Sequence, residues 1–387
     1  MLRCVSCGKE YTDKSGKQIC SCGGPVESEY ITGSVRRGEG VWKRYGEFLP
    51  CDLPGTLSLR EGDTPLIKSE KLSERYGLDL FFKNETVNPT WSFKDRGTVL
   101  SLQRALELDA ERVGTVSTEN MGVSVAAYGA RKELEPLVLV TENIAEEKLM
   151  QIDAYGPTII KVYGDYGELF YKSLEISWDN IYFSNSNSPY RIEGYKTLAF
   201  EVTERFVPDY MIMPTSSGGL FRGVMKGFIE MERCGVIDEI PIPVSVQAAG
   251  CSPIYRAFES GEKSIKRWKD PKTAASAIAN PYPPGGNEVL RKLDEYGGLC
   301  VAVSDEEVLQ AQRMIASEGI FCQPASAVGV AAVDQLREKG IIERGAEVIS
   351  IITGSGLKKL DLRRGEVDVV SCDMSGLERC LERELER

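Results

Sequence analysis

Asn88-Pro89-Thr90-Trp91-Ser92-Phe93-Lys94-Asp95-Arg96-Gly97 sets one lysine between an apolar aromatic and a charged Asp-Arg pair. Pro89 and Trp91 constrain the approach to Lys94. Desolvation, or the neighbouring cation, favours a neutral amine able to form an imine. Taken alone, the segment also fits a solvated Lys-Asp-Arg turn at a helix start. The loops elsewhere in the chain weigh between the two readings.

Tyr210-Met211-Ile212-Met213 reads as a buried strand and runs into Pro214-Thr215-Ser216-Ser217-Gly218-Gly219-Leu220-Phe221-Arg222-Gly223. The paired glycines let backbone N–H groups approach an anion, and the hydroxyls with a helix start complete a phosphate cradle. The loop is neither a Walker A sequence nor a dinucleotide fingerprint, and in isolation an ordinary turn fits it as well. Two more polar loops follow strand-like runs. Ser117-Thr118-Glu119-Asn120-Met121-Gly122-Val123-Ser124 comes after Arg112–Val116, and Thr353-Gly354-Ser355-Gly356 after Glu347–Ile352. Asn120 is expected at the carboxyl edge of a sheet, where open α/β folds bind ligands. Thr353 either offers a hydroxyl to a ring nitrogen or satisfies a tight turn.

With Leu137–Val140 and Thr158–Val162, these short apolar runs alternate with helical patterns from about residue 60 onward. The alternation predicts an α/β fold with buried parallel sheets covered on both faces. Ser304 and Glu307 predict a capping box ahead of the stripe Val308, Ala311, Met314 and Ile315. Asn280-Pro281-Tyr282-Pro283-Pro284-Gly285-Gly286-Asn287 predicts a rigid loop at a cleft rim or the surface.

The 387 residues are 42% apolar and 27% charged, with 58 acidic against 47 basic side chains and a net charge of -11. That balance suits two or three folding units and argues against a nucleic-acid surface. No apolar run reaches the roughly 18 residues of a membrane span. Met1-Leu2-Arg3-Cys4 lacks a signal-like apolar region, so a cytoplasmic setting is expected. Histidine is absent, which excludes Ser-His-Asp and Cys-His mechanisms and every histidine metal site. Four of the cysteines, Cys4, Cys7, Cys20 and Cys22, crowd into the start of the chain. Two close thiol pairs across a short polar loop suit a structural zinc ribbon, with free or partly degenerate thiols as the alternative.

Together with Glu61-Gly62-Asp63-Thr64-Pro65-Leu66, Asn185-Ser186-Asn187-Ser188-Pro189-Tyr190-Arg191, Glu193-Gly194-Tyr195-Lys196-Thr197 and Cys322-Gln323-Pro324-Ala325-Ser326, these segments form an ordered set. The set resembles the tryptophan-synthase-β-like, fold type II pyridoxal-phosphate enzymes, and among them the archaeal-like threonine synthases. The resemblance implies two parallel-sheet domains behind an N-terminal zinc-ribbon-like segment. The implied division is 1–28 for the ribbon, 29–97 for an arm and the first part of the large cofactor domain, and 98–203 for a smaller inserted domain. The large domain then resumes over 204–360, and 361–387 form a charged extension.

By the same resemblance Lys94 would carry pyridoxal phosphate as a Schiff base and shuttle protons. Asn120 would contact the ring hydroxyl, Ser216, Ser217, Gly218 and Gly219 would surround the cofactor phosphate, and Thr353 would sit by the ring nitrogen. Thr118, Ser186 and Arg191 would bind a phosphorylated amino acid, although a domain-fixing ion pair also fits Arg191. The implied reaction converts O-phospho-L-homoserine and water to L-threonine and phosphate in a homodimer. Another replacement or elimination enzyme acting on a substrate such as phosphoserine, or a noncatalytic metabolite sensor, is the alternative. Four positions depart from the family pattern. Trp91 and Glu119 stand where glycine is common, Ser355 stands where histidine is usual, and the phosphate loop lacks its common asparagine.

Overall fold

A computed structural model describes residues 1–12, 16–117, 120–142, 144, 146–164, 166–176 and 180–358. Thr118, Glu119 and the extension expected over 361–387 lie outside the described residues. The strands are β1 (Leu2–Cys4), β2 (Glu10–Tyr11), β3 (Val26–Ser28), β4 (Leu66–Lys68), β5 (Asp79–Asn84), β6 (Arg112–Val116), β7 (Glu135–Thr141), β8 (Thr158–Val162), β9 (Ile181–Phe183), β10 (Tyr210–Pro214), β11 (Ile242–Ala248), β12 (Leu299–Val303) and β13 (Glu347–Ile352). All five runs expected as strands are among them.

Six strands form one sheet in the order β12-β11-β10-β13-β5-β4, parallel throughout except for the antiparallel edge strand β4. Successive side chains of a strand point to opposite faces, and both faces here are covered. Met211, Met213, Ile349 and Ile351 join a core with the helices Lys94–Glu107, Pro189–Thr203 and Gly219–Arg233. Ile212, Val348, Ile352, Leu80 and Phe82 join a second core with the helices Asp305–Ser317 and Pro324–Glu338. Burial on both faces is the reason the strands read as continuous apolar runs rather than alternating ones. Each such aliphatic side chain contributes about 1.5–3 kcal/mol by leaving water.

The second sheet, β8-β7-β6-β9, is entirely parallel, and its strands lie between β5 and β10 in the chain. Helix Asn120–Arg131 covers it, with Val123 and Ala126 packed on Val138 and Val140. The capping box at Ser304 and Glu307 is present. Within the segment 280–287 the loop ends sooner than expected, because a helix already begins at Gly286.

The lysine segment is not a solvated turn. Asp95 and Arg96 are fully buried in the first turn of the helix Lys94–Glu107. Arg96 donates from Nε to Glu85 at 2.7 Å and from Nη1 to Glu201 at 2.5 Å, and Lys83 pairs with Glu201 at 2.6 Å. This network ties the helix to β5 and to Pro189–Thr203. Those two helices touch so closely that a Cβ on Gly194 would lie 2.0 Å from the Arg96 carbonyl oxygen. Glycine is the residue that permits such an approach.

The third sheet, β2-β1-β3, is a small antiparallel unit carrying the N-terminal cysteines. Its own core holds little beyond Leu2, Cys4, Cys20 and Val26, too little apolar surface to fold alone. No described helix is long and apolar enough to cross a membrane.

Candidate active site

Four of the loops singled out in the sequence leave the carboxyl end of a parallel strand. Thr215–Gly219 follows β10, Thr353 follows β13, Ser117 follows β6 and the turn Ser184–Ser188 follows β9. They meet over Lys94. One cleft is lined by Phe93, Lys94, Asn120, Ser186, Ser216, Ser217, Gly218, Gly219, Gln323 and Thr353. Its outer part, of about 250 Å³, adds Ser117, Tyr166 and the loop residues Pro271, Asn280 and Pro281. Among the described lining residues Lys94 carries the one formal charge, so the cleft presents hydroxyls, amides and N–H groups to a ligand without an opposing carboxylate.

Lys94 is fixed from its backbone side. Phe93 N–H donates to the Thr353 carbonyl at 3.0 Å, and Ser355 N–H to the Trp91 carbonyl at 3.0 Å, so the loop before the lysine is sewn to the loop after β13. The Lys94 ammonium nitrogen lies 4.4 Å from the centroid of the Phe93 ring. Behind it Asp95 accepts from Thr90 N–H at 2.7 Å, from the Thr90 hydroxyl at 2.5 Å and from Ser124 at 2.6 Å. Burial pushes the Asp95 carboxyl up to about 6, and these donors only partly oppose it.

Trp91 stands with φ at +63°. That left-handed backbone explains the glycine common at this position, since glycine adopts it without steric cost.

The residues fit a phosphorylated cofactor. Gly218 caps the helix Gly219–Arg233 in the left-handed region at φ +88°, without any side-chain cap. The first-turn N–H groups are thus left for a ligand. A Cβ on Gly219 would come within 3.0 Å of the Ser186 carbonyl oxygen, filling the cradle. Asn280 donates to the Ser217 hydroxyl at 2.8 Å. The Asn120 amide donates to Gln323 at 3.1 Å. The Thr353 hydroxyl is paired with that of Ser326 at 2.9 Å.

Ser186 lines the cleft with a buried hydroxyl that has no hydrogen-bond partner among the described residues. Arg191 lies one layer behind and does not line the cleft. Its guanidinium donates to Thr98 and Ser184 at 3.0 and 3.1 Å and to the Tyr195 hydroxyl at 2.9 Å, and Nη2 lies 3.4 Å from the Lys94 carbonyl. Among the described residues it has no carboxylate partner.

Gln323, Tyr166 and Asn280 carried no role in the sequence. The cysteine–glutamine–proline landmark pointed near Gln323 and the proline-rich run from Asn280 pointed to a loop at a cleft rim or the surface, while nothing local marked Tyr166.

At the other end of the protein the sulfur atoms of Cys4, Cys7, Cys20 and Cys22 all lie within 4.8 Å of one another. Cys4 to Cys22 is 3.5 Å and Cys7 to Cys20 is 3.6 Å, close to the edge of about 3.8 Å expected for four thiolates on one tetrahedral ion.

Residues 57–354 match the model of the family described as pyridoxal-phosphate dependent enzyme. The threonine synthase of Methanocaldococcus jannaschii is 39% identical, over 98% of this chain and 99% of that protein. The threonine synthase of Methanosarcina acetivorans is 35% identical over 92% of each. Among solved structures, maize serine racemase superposes with a TM-score of 0.66 at 20% identity, covering 89% of this chain and 96% of its own. A threonine deaminase isoform from Solanum lycopersicum gives 0.68 at 20% identity, covering 92% and 96%. The two structures share the fold, and the full-length likeness singles out one branch of it. The chain belongs to the pyridoxal-phosphate dependent enzymes of fold type II and, within them, to the threonine synthase family.

Proposed function

We propose that this enzyme converts O-phospho-L-homoserine and water to L-threonine and phosphate. The full-length likeness to threonine synthases supports the reaction. One observation favours a phosphorylated substrate: Ser186 offers a buried hydroxyl to the cleft, backed by the buried Arg191 cation, and among the described residues neither the hydroxyl has a hydrogen-bond partner nor the cation a carboxylate.

Pyridoxal phosphate, when bound, supplies an electron sink for negative charge that develops on the substrate carbons. Ser216, Ser217 and the N–H groups around Gly218 and Gly219 would hold its phosphate, Asn120 its ring hydroxyl and Thr353 its ring nitrogen. The Lys94 amine takes the substrate Cα proton; a Cβ proton and the γ-phosphate are then lost, Cγ gains a proton, and after water has added at Cβ the amine returns a proton to Cα. Ser186 donates to the substrate phosphate, and Arg191 contributes positive potential from behind the cleft. Thr118 belongs to the same proposal but lies outside the described residues. Tyr166 and the loop around Ala277–Pro281 narrow the mouth and limit bulk water before the addition step.

The deciding experiment incubates holoenzyme with O-phospho-L-homoserine and follows threonine and phosphate together, beside phosphoserine with sulfite or sulfide. Stoichiometric threonine and phosphate are expected. Phosphate without threonine, or turnover of phosphoserine alone, rejects the assignment.

The four N-terminal thiolates would hold one structural zinc ion, leaving no open position for catalysis. One equivalent of zinc per chain is expected from metal analysis, and none in a Cys4→Ser, Cys7→Ser double variant. A homodimer, a cytoplasmic location and the division at residues 28, 97, 203 and 360 complete the reading. Sedimentation analysis and limited proteolysis test the first and the last.

A further inference from the structure

The cysteine unit is not a separate bead on the fold. Two of its residues connect it to the turn that carries Ser186, Gln18 directly and Glu27 through Arg222. Gln18 donates from Nε2 to the Phe183 carbonyl at 2.6 Å, and its own carbonyl accepts from Asn187 Nδ2 at 3.0 Å. Glu27, on β3 opposite the cysteine strand, accepts from Arg222 Nε at 2.7 Å. Arg222 closes the circuit by donating from Nη1 to Asn187 Oδ1. All four residues are buried, and Asn187 and Arg222 are fully so.

Arg222 also underlies the phosphate loop. Its backbone N–H donates to the Gly218 carbonyl at 3.0 Å, one helical turn from the cradle. A Cβ on Gly285 would lie 3.0 Å from Arg222 Nη1 and 2.8 Å from the Ser217 carbonyl oxygen, so guanidinium and loop press on the same glycine. The Glu27 carboxyl is buried, yet Arg222, Lys226 and Lys292 hold it below its ordinary value, so it stays an anion for Arg222 to grip. A buried charge-assisted bond of this kind fixes orientation more tightly than a neutral one.

We propose that the N-terminal cysteine unit is a component of the anion end of the active site, with Arg222 and Asn187 as positioning residues. They hold the Ser186 turn against the Gly218-Gly219 loop, and the unit's integrity sets the affinity for a phosphate bound there. The proposal rests on the reading of Ser186 as a substrate-phosphate ligand. Neither positioning residue touches the cleft, so they act on phosphate through the geometry of Ser186 and not on the proton transfers at Lys94.

The test compares wild-type holoenzyme with Glu27→Gln, Asn187→Ala, Cys22→Ser and the Asn187→Ala, Cys22→Ser double variant. It measures KM and kcat for O-phospho-L-homoserine, protection of the holoenzyme by inorganic phosphate in thermal melts, and the visible cofactor band. Glu27→Gln and Asn187→Ala should raise KM and weaken phosphate protection by about tenfold, from the loss of one bond to a charged group. Their kcat and cofactor band should stay near wild type. Cys22→Ser should weaken phosphate protection alone, and add little on the Asn187→Ala background because both act through one contact.

Lower melting temperatures with unchanged KM and phosphate protection would reduce these residues to structural supports and overturn the proposal. Additive effects of Cys22→Ser and Asn187→Ala would also overturn it. If Asn187→Ala does not fold, Asn187→Ser takes its place, since it keeps a polar group for Arg222. Should wild type fail to turn over the substrate, the functional reading falls. The phosphate-protection arm still decides this inference.

Discussion

The Asn120 side-chain amide donates to Gln323 Oε1 at 3.1 Å, joining residues 203 positions apart across the cleft floor. Asn120 opens the helix over the four-stranded sheet, and Gln323 caps a helix on the six-stranded one. Replacing Gln323 by Leu removes the acceptor and frees the Asn120 amide to rotate away. Cofactor affinity, measured by titrating the visible absorbance of the holoenzyme, should fall about five- to tenfold. An unchanged dissociation constant would mean that Asn120 does not touch the cofactor.

Lys94→Ala should remove the visible absorption of the lysine-linked cofactor and lower turnover by a factor on the order of a thousand or more. Melting temperature should change little, because the Lys94 side chain is half-buried in the cleft and the helix it opens is held by Asp95 and Arg96. A variant that keeps the band would place the linkage on another amine.

Asp95 gives a pH dependence of unusual sign. Its folded pKa of about 6 lies above the unfolded value near 3.8. The native state therefore binds the extra proton between these values, and stability falls as pH rises through that window. Asp95→Asn, uncharged throughout, should gain on wild type by about 2 kcal/mol between pH 4 and pH 7. Denaturant melts of both proteins across that range check it, and a constant difference would refute it.

Arg96 holds two buried carboxylates. Burial pushes Glu201 upward, but Arg96 and Lys83 outweigh it and hold the carboxyl down at about 2. Arg96→Met leaves Glu85 and part of Glu201 unpaired in the interior and should destabilise by about 3–5 kcal/mol at neutral pH. The penalty should shrink as pH falls below about 4, because the wild-type advantage from the lowered Glu201 carboxyl is lost as pH falls toward 2. Urea denaturation at two pH values reads both effects.

Trp91 occupies left-handed backbone with its ring about half exposed. Trp91→Gly relieves the backbone and loses limited packing, so stability should stay within about 1 kcal/mol of wild type. Trp91→Val puts a branched side chain on the same backbone and should cost about 1–3 kcal/mol. Equal stabilities for the two variants would show that the turn relaxes.

The strand runs, the capping box at Ser304 and the glycine loop after Met213 were legible in the sequence because each is a local pattern. Backbone sterics and side-chain periodicity act over a few residues. The same holds for the four crowded cysteines. The lysine segment alone did not reveal whether Asp95 and Arg96 face water, because their partners Ser124, Glu85 and Glu201 come from other elements. Nor could it show that Arg191 would sit behind the cleft among neutral acceptors.

Lys94 itself was identified by its neighbours in the chain and by the order of loops around it. Tertiary structure alone decided what surrounds it: Gln323 against Asn120, Tyr166 at the mouth, and Arg222 linking the cysteine unit to the Ser186 turn. Those contacts join residues brought together only when the parallel strands pack side by side. The sequence specifies them through the whole core, and no short window contains the energy that makes them.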